Sequence, residues 1–231
     1  MVQDGSPVQG ESPRVAVLAE GKIVGETIVL ALEAHSLEVT DFPYPRSRVE
    51  LLETRRAISS AGAKVGIVVA EIDDVAQWRG VMSVIETIPL RWVLVTGSSN
   101  PPRWGGLLAA GCQGIVSMTE GLERLASAVR AVARGAPGMD PEVRARALEA
   151  WERLGPARRD LIKRIAGLSP REWQVLGMLN EGQSITTIAD AGGVSEGTVR
   201  SQVRAIRQKL NVKSQLAAVA AYQEAVEFGR T

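Results

Sequence analysis

Along residues 196–210, Arg200, Ser201, Arg204, Arg207 and Gln208 recur at positions that share one side of a helix. Val199, Val203, Ile206 and Leu210, spaced by four, three and four residues, occupy the other side. Such a helix buries its aliphatic side and offers forked guanidinium, hydroxyl and amide donors outward. Those donors match backbone phosphates and the acceptors of guanine in a major groove. Ser195 stands at the N-cap, where unpaired amides and the positive end of the helix dipole face outward, so Ser195 and Thr198 suit contacts to phosphate.

The other chemistry-bearing residues do not assemble as well. Glu20, Glu71, Asp73 and Asp74 follow candidate strands, and a carboxylate set of that kind could hold a hard cation; acids at strand ends are more often solvated, so no metal is assigned. The chain has one cysteine, Cys112, and one histidine, His35, which excludes a zinc cluster, an intrachain disulfide and a histidine-based triad. Cys112 lies in an apolar stretch and reads as a packing residue. There is no phosphate-cradling glycine motif of the Walker type and no paired nucleophile and base, so neither an enzyme nor a cofactor is expected.

The elements that must position the basic face are legible. Ser169, Pro170 and Glu172 make an N-cap, a first-turn proline and a third-position acid ahead of a helix that runs through Leu179 with Val175, Leu176 and Leu179 inward. A short helix over 184–191 follows, with Ile185, Ile188 and Ala189 inward. Gly192 and Gly193 supply a turn at positive φ, and Ala189, Gly193 and Val194 allow the close crossing of a helix-turn-helix. A last helix over 214–227 carries Leu216, Val219, Ala220 and Gln223 along one side.

Upstream, β-branched runs at 15–18, 38–40, 65–69, 92–96 and 114–117 alternate with helical patterns at 24–34, 47–61, 75–87, 104–110 and 122–134. In the last of these, Leu122, Leu125, Ala126, Val129, Val132 and Ala133 share a face. This rhythm predicts an α/β flavodoxin-like domain over 14–136, with ligand sites at the carboxyl ends of its parallel strands. Helices at 141–154 and 157–166 form a linker over 137–167, the second bearing Arg158, Arg159, Lys163 and Arg164 on a solvated face or beside phosphates. An all-α domain occupies 168–231, and 1–13 reads as a disordered tail rather than a signal peptide. The formal charge of +1 names no partner by itself. No stretch reaches the ~18 apolar residues of a membrane span, so a cytoplasmic protein with no membrane partner is expected.

Leu168-Ser-Pro-Arg-Glu172, Gly182-Gln-Ser184, Ile188-Ala189, Val194-Ser195-Glu-Gly-Thr198-Val199-Arg200 and Ile206-Arg-Gln-Lys209-Leu210-Asn-Val212 closely resemble the LuxR/NarL-type DNA-binding domain. Departures are Gly192 for the usual Leu, Gln202 for His, Thr187 for Glu and Gln215 for Arg. The resemblance implies base-edge contacts from Arg200, Ser201 and Arg204, backbone contacts from Thr198, Gln202 and Lys209, and a homodimer through Leu216, Val219, Ala220 and Gln223. Such a dimer would read half-sites on double-stranded DNA roughly 10 bp apart or a multiple of that.

The β/α units over residues 14–135 resemble the receiver domain of two-component response regulators, which implies a phosphorylation site. Aligned by strand, its acidic pair is Ala19 and Glu20, its acceptor Ala70, its hydroxyl residue Thr96, and its lysine Met118. An alanine offers no oxygen to phosphorylate and methionine no cation to stabilise an acyl phosphate. A shift of one residue would put Glu71 at the acceptor position. The resulting expectation is a sequence-specific transcription regulator controlled through a small-molecule or protein effector or through oligomerisation. Alternatives are a conventional regulator with a displaced acceptor at Asp73 or Asp74, and an interaction module that has lost DNA binding.

Overall fold

The computed structural model describes residues 13–228. The tail expected over 1–13 lies outside the described residues except for Pro13. The contacts divide the chain into two compact units that are not contiguous in sequence. One holds the chain up to Ala70, Val84–Gly97 and Gly111–Asp140; the other holds Glu71–Ser83, Ser98–Ala110 and the chain from Pro141. Two segments of the N-terminal half thus pack with the C-terminal unit, a division that differs from a cut at residue 137.

In the first unit, β1 (Arg14–Ala19), β3 (Val65–Val69) and β4 (Arg91–Thr96) are almost wholly buried, as runs without alternation require of central parallel strands. β2 (Glu38–Pro43) and β5 (Cys112–Ser117) form the edges of a parallel sheet of order β2-β1-β3-β4-β5. β2 runs further than 38–40 because its pairing with β1 continues to Ala19 opposite Pro43, and β5 starts at Cys112 rather than Gly114 because Trp92 pairs there. The register sets Ala19 beside Val69, Val69 beside Val95 and Val95 beside Val116, one apolar row across the carboxyl end of the sheet.

The helices belonging to this sheet are α1 (Lys22–Glu33), α2 (Arg48–Ala61) and α5 (Gly121–Ala133), with α3 (Val75–Thr87) passing from one unit into the other. Leu125, Ala126, Val129 and Val132 of α5 are buried as the periodicity predicts; Leu122, in the first turn, is instead 43% exposed. Packing leaves no room for a Cβ at Gly66 or at Gly114. A Cβ on Gly66 would stand 2.3 Å from the Trp92 ring, and one on Gly114 would stand 2.8 Å from Gly138 Cα. Gly138 also donates to the Gln113 carbonyl at 3.0 Å and Met139 is buried, so residues expected to begin a free linker fold back against β5.

The second unit contains the start of α3, then α4 (Pro101–Ala109), α6 (Pro141–Arg153), α7 (Pro156–Ala166), α8 (Pro170–Asn180), α9 (Ile185–Gly192), α10 (Glu196–Leu210) and α11 (Gln215–Glu227). α4 begins earlier than residue 104 because the Asn100 side chain accepts from the Arg103 amide and two prolines fill positions that need no amide partner. α4 and α6 meet at Gly105, where a Cβ would lie 2.1 Å from the Ala147 carbonyl oxygen.

Trp78, Trp151 and Phe228 form an aromatic nest, with Phe228 edge-on to Trp78 at 5.4 Å and to Trp151 at 5.7 Å between centroids. Arg103, only 2% exposed, donates to the Phe228 carbonyl from Nε at 2.9 Å and from a terminal nitrogen at 2.7 Å, and its other terminal nitrogen donates to the Ile72 carbonyl. Arg79 donates to the Leu168 carbonyl and lies 5.8 Å from the Trp173 ring centre, and Trp173 packs on Tyr222 at 4.8 Å. Burial lowers the pKa of both guanidinium groups, opposed by the charge of Asp74. Among the described residues no helix is long and apolar enough to cross a membrane.

These contacts set the first stability test. Gly105→Ala forces α4 from α6 and should cost about 1–3 kcal/mol, and Arg103→Met leaves buried carbonyls unpaired at about 2–4 kcal/mol. Gly197→Ala, with nothing crowding its site, should instead stabilise by up to about 1 kcal/mol. Thermal melts of the full chain distinguish these signs.

Candidate nucleic-acid interface

Each helix of the C-terminal segment begins at a serine cap. Ser169, Ser184, Ser195 and Ser214 accept from the amides of Glu172, Thr187, Thr198 and Ala217 respectively, at 3.0–3.3 Å. At Ser169 the cap is reciprocal, because Glu172 Oε2 accepts from the Ser169 amide at 2.7 Å. α9 includes Gly192, and only Gly193, at φ 60°, makes the turn; Val194 is exposed rather than packed in the crossing. Where the usual Leu is replaced by Gly192, the Arg171 guanidinium takes the space, 2.1 Å from where a Cβ would stand.

α10 buries Val199, Val203, Ile206 and Leu210, as the spacing predicts, against α8 and α9. The opposite side presents Ser195, Thr198, Arg200, Ser201 and Arg204, all exposed. The Ser195 and Thr198 hydroxyls are 2.9 Å apart, and Ser201 donates to the Gly197 carbonyl at 3.0 Å. Arg200 pairs with Glu196 at 3.1 Å, while Thr186 donates to the other oxygen of Glu196 at 2.5 Å. The Thr186 bond first, then that of Arg200, holds the Glu196 carboxyl below its ordinary pKa. Arg204 makes no ion pair among the described residues. With Gln208, Asn211 and Lys213 it borders a basic groove of about 490 Å³ at the far end of α10.

Three expected donors are placed differently. Arg207 donates to the Lys213 carbonyl, closing the αL cap at Asn211, and lines the groove beside Arg204 with its guanidinium already bound. Gln202 is half-buried, with its carbonyl oxygen unpaired among the described residues. Lys209 donates to Glu172 Oε2 at 2.7 Å and so ties α10 to the cap of α8. Among the linker cations, Arg158 pairs with Glu224 at 3.2 Å, and Arg164 pairs with Asp160 at 2.5 Å and donates to the Leu210 carbonyl, whereas Lys163 stays exposed. On α11, Ala218, Ala221 and Ala225 are buried, leaving Ala220, Gln223 and Leu216 outward, with Leu216 78% exposed and Val219 half-buried.

The residues aligned with a receiver's phosphorylation site lie at the carboxyl ends of β1, β3, β4 and β5. Ala19, Ala70 and Thr96 are buried, Glu20 is exposed, and Met118 is 47% exposed at the start of a single 3-10 turn, Met118–Glu120. The Ala70 amide donates to the Val95 carbonyl at 3.2 Å. In the other unit, Glu71 accepts from the Ser98 hydroxyl at 2.8 Å, and Asp74 and Gln77 cap each other's amides at the start of α3. Among the described residues no three His, Cys, Asp or Glu side chains converge on a metal position.

The Glu172–Lys209 pair was not foreseen, although an acid at a cap's third position and a lysine on the helix packed beside it are its only sequence signal. Burial pushes the Glu172 carboxyl up, and the bonds from Lys209 and from the Ser169 amide and hydroxyl outweigh it, leaving a pKa below 4.5. A depressed acid stabilises above its unfolded value and loses that contribution as pH falls through its folded pKa. Stability should therefore decline below pH 4.5. Lys209→Met should cost about 1–3 kcal/mol at neutral pH and shrink the acid decline, because the folded Glu172 pKa then rises toward its unfolded value. Glu172→Gln should remove this contribution to it, as read by melts across pH.

Residues 166–221 match the family described as bacterial regulatory proteins, luxR family. The chain is also similar to the transcriptional regulatory protein DesR of Bacillus subtilis, 26% identical over 132 residues, which is 57% of this chain and 59% of that protein. The matched stretch therefore spans about three fifths of that relative. Among solved structures, the chain is similar to the response regulator RcsB in complex with DNA, at 23% identity and a TM-score of 0.47 over 93% of this chain and 99% of that one. It is similar as well to RcsB of Salmonella typhimurium, at 23% identity and a TM-score of 0.46 over 92% and 98%. The luxR-family match thus falls on the segment from the end of α7 into α11, with α10 and its exposed arginines inside it.

Proposed function

We propose that this protein is a sequence-specific transcription regulator that binds double-stranded DNA as a homodimer, without phosphorylation of its α/β unit. The observation that carries this reading is the exposed Arg200, Ser201 and Arg204 on a helix whose opposite side is buried. Arg200 and Arg204 are set to read base edges. Ser195 and Thr198, at the open amide end of α10, together with Gln202, set the register on phosphates. Lys209 serves the fold first, since its ammonium is already bound to Glu172. Such a protein works in the cytoplasm, where its DNA is.

The outward side of α11, with Leu216, Val219, Ala220 and Gln223, is the surface assigned to the homodimer. Its small residues permit close approach of a second helix, and an exposed leucine at its start has an apolar partner to gain. Control without phosphate transfer is supported by Ala70 and Met118 at the acceptor and lysine positions. A displaced acceptor at Asp74 is disfavoured by its service as the cap of α3, where its oxygen accepts from the Gln77 amide at 2.8 Å. An effector, small molecule or protein, then takes the role that phosphate has in a receiver.

In selection from a randomised DNA pool at two salt concentrations, the full chain should enrich an inverted repeat, with affinity falling as salt rises. Arg200→Ala and Arg204→Ala should each cost about 1–3 kcal/mol and relax preference at one base position. Absence of any selected sequence would overturn the DNA-binding reading. Leu216→Glu should shift the protein toward monomer in sedimentation and weaken binding to the full repeat more than to a half-site. Incubation with acetyl phosphate should add no phosphoryl mass; a gain mapped to Asp73, Asp74 or Glu71 would restore conventional control.

A further inference from the structure

The apolar row at the carboxyl end of the sheet lies open on one side. Val69, Val95 and Val116 form the floor of a cavity of about 180 Å³, with Val24 and Ile28 of α1 on one wall and Leu122 and Leu125 of α5 on the other. Met118 and Gly121 complete its rim. Ser117 supplies the one polar side chain of the lining, and its hydroxyl is already 2.8 Å from that of Thr119 and accepts from the Thr119 amide. The whole cavity belongs to the first unit, so its walls are held by the sheet core.

Size and polarity together specify an occupant. A water molecule needs about two to four polar partners to be held, and an enclosed apolar void of about 150 Å³ accepts a single benzene ring; this cavity has a similar volume and opens to solvent on one side. This lining offers almost no such partners. Ala19 continues the floor row beside Val69, where a carboxylate would place an unpaired charge against aliphatic carbon. Met118 puts a thioether, soft and adaptable, at the rim where a lysine would repel an apolar guest. The position is the end of a parallel sheet at which ligands of such folds bind.

We infer that this cavity is a binding site for a small uncharged apolar molecule, a single aromatic ring or a short alkyl chain, held between α1 and α5. This deepens the reading of control without phosphate, on which its regulatory meaning rests. The guest bridges the helices flanking the degenerate site and covers the exposed side chains of Val24, Met118 and Leu122.

The test uses the full chain with toluene and 1-hexanol as probes and benzoate as a charged control of similar size. Methyl resonances of Val69, Val95, Val116 and Leu125 should shift saturably with toluene and hexanol, and benzoate should bind about tenfold more weakly or worse. Val24→Trp fills the mouth from a partly exposed helix position and should weaken both probes about tenfold or more, while Met118→Lys should weaken them without blocking the mouth. The inference is overturned if no saturable shift occurs up to the probes' solubility, or if Val24→Trp leaves the shifts unchanged. It is equally overturned if self-association protects these methyls before any probe is added, since the occupant is then a second copy of the chain. Probe binding with no DNA selection would count against the regulator reading alone, and DNA selection with no probe binding against the cavity alone.

Discussion

A buried guanidinium cannot stay unpaired, and Arg103 meets that requirement with main-chain carbonyls rather than a carboxylate. Because Phe228 and Ile72 supply those carbonyls, the end of α11 and the segment before α3 are fixed to α4 by the same side chain. The aromatic nest of Trp78, Trp151 and Phe228 excludes water around it, which makes each of these bonds stronger than it would be at the surface. The glycines of α4 serve the same end: only without a Cβ at Gly105 can α6 come near enough for Trp151 to reach the nest. The helix-turn-helix therefore stands on a base built partly from segments of the N-terminal half.

Within the helix-turn-helix, charge is used in two ways that the physics separates cleanly. Glu172 is buried, its carboxylate accepts from the Lys209 ammonium and the Ser169 amide and its own amide donates to the Ser169 hydroxyl, so it acts as a structural joint between α8 and α10. Glu196 is on the surface, where its bonds to Thr186 and Arg200 are screened by water and worth little to stability. Its effect is on direction: it holds Arg200 over the first turns of α10. An arginine held in place loses less freedom on meeting a base edge than one that swings freely. Arg204 makes no ion pair among the described residues, so the two arginines differ in how firmly they are held.

The α/β unit has a receiver-like parallel sheet whose row at the carboxyl end, Ala19, Val69, Val95 and Val116, is aliphatic. Parallel strands covered on both faces need apolar side chains along their length, and here that requirement extends to the last residue of β1 and of β3. Ala19, Val69, Val95 and Val116 bring no polar side chain to that row.

The sequence by itself determined the local structure and the face of α10 that meets solvent. Serine caps, first-turn prolines and the spacing of Val199, Val203, Ile206 and Leu210 are interactions within a few residues, so their outcome is written in order along the chain. The same holds for the strands, whose unbroken β-branched runs suit the covered interior of a parallel sheet. What only the tertiary structure decided is which polar groups were already taken. Lys209, Arg207 and Arg164 resemble free cations in sequence, and each is bound to an oxygen on another turn or helix. Arg103 and Gly105 carried no local signal, because a buried ion's partners and a helix's closest approach depend on segments that meet only after folding, more than a hundred residues apart for Arg103 and Phe228. The pairing of side chains distant in sequence is a property of packing, and periodicity along one helix does not contain it.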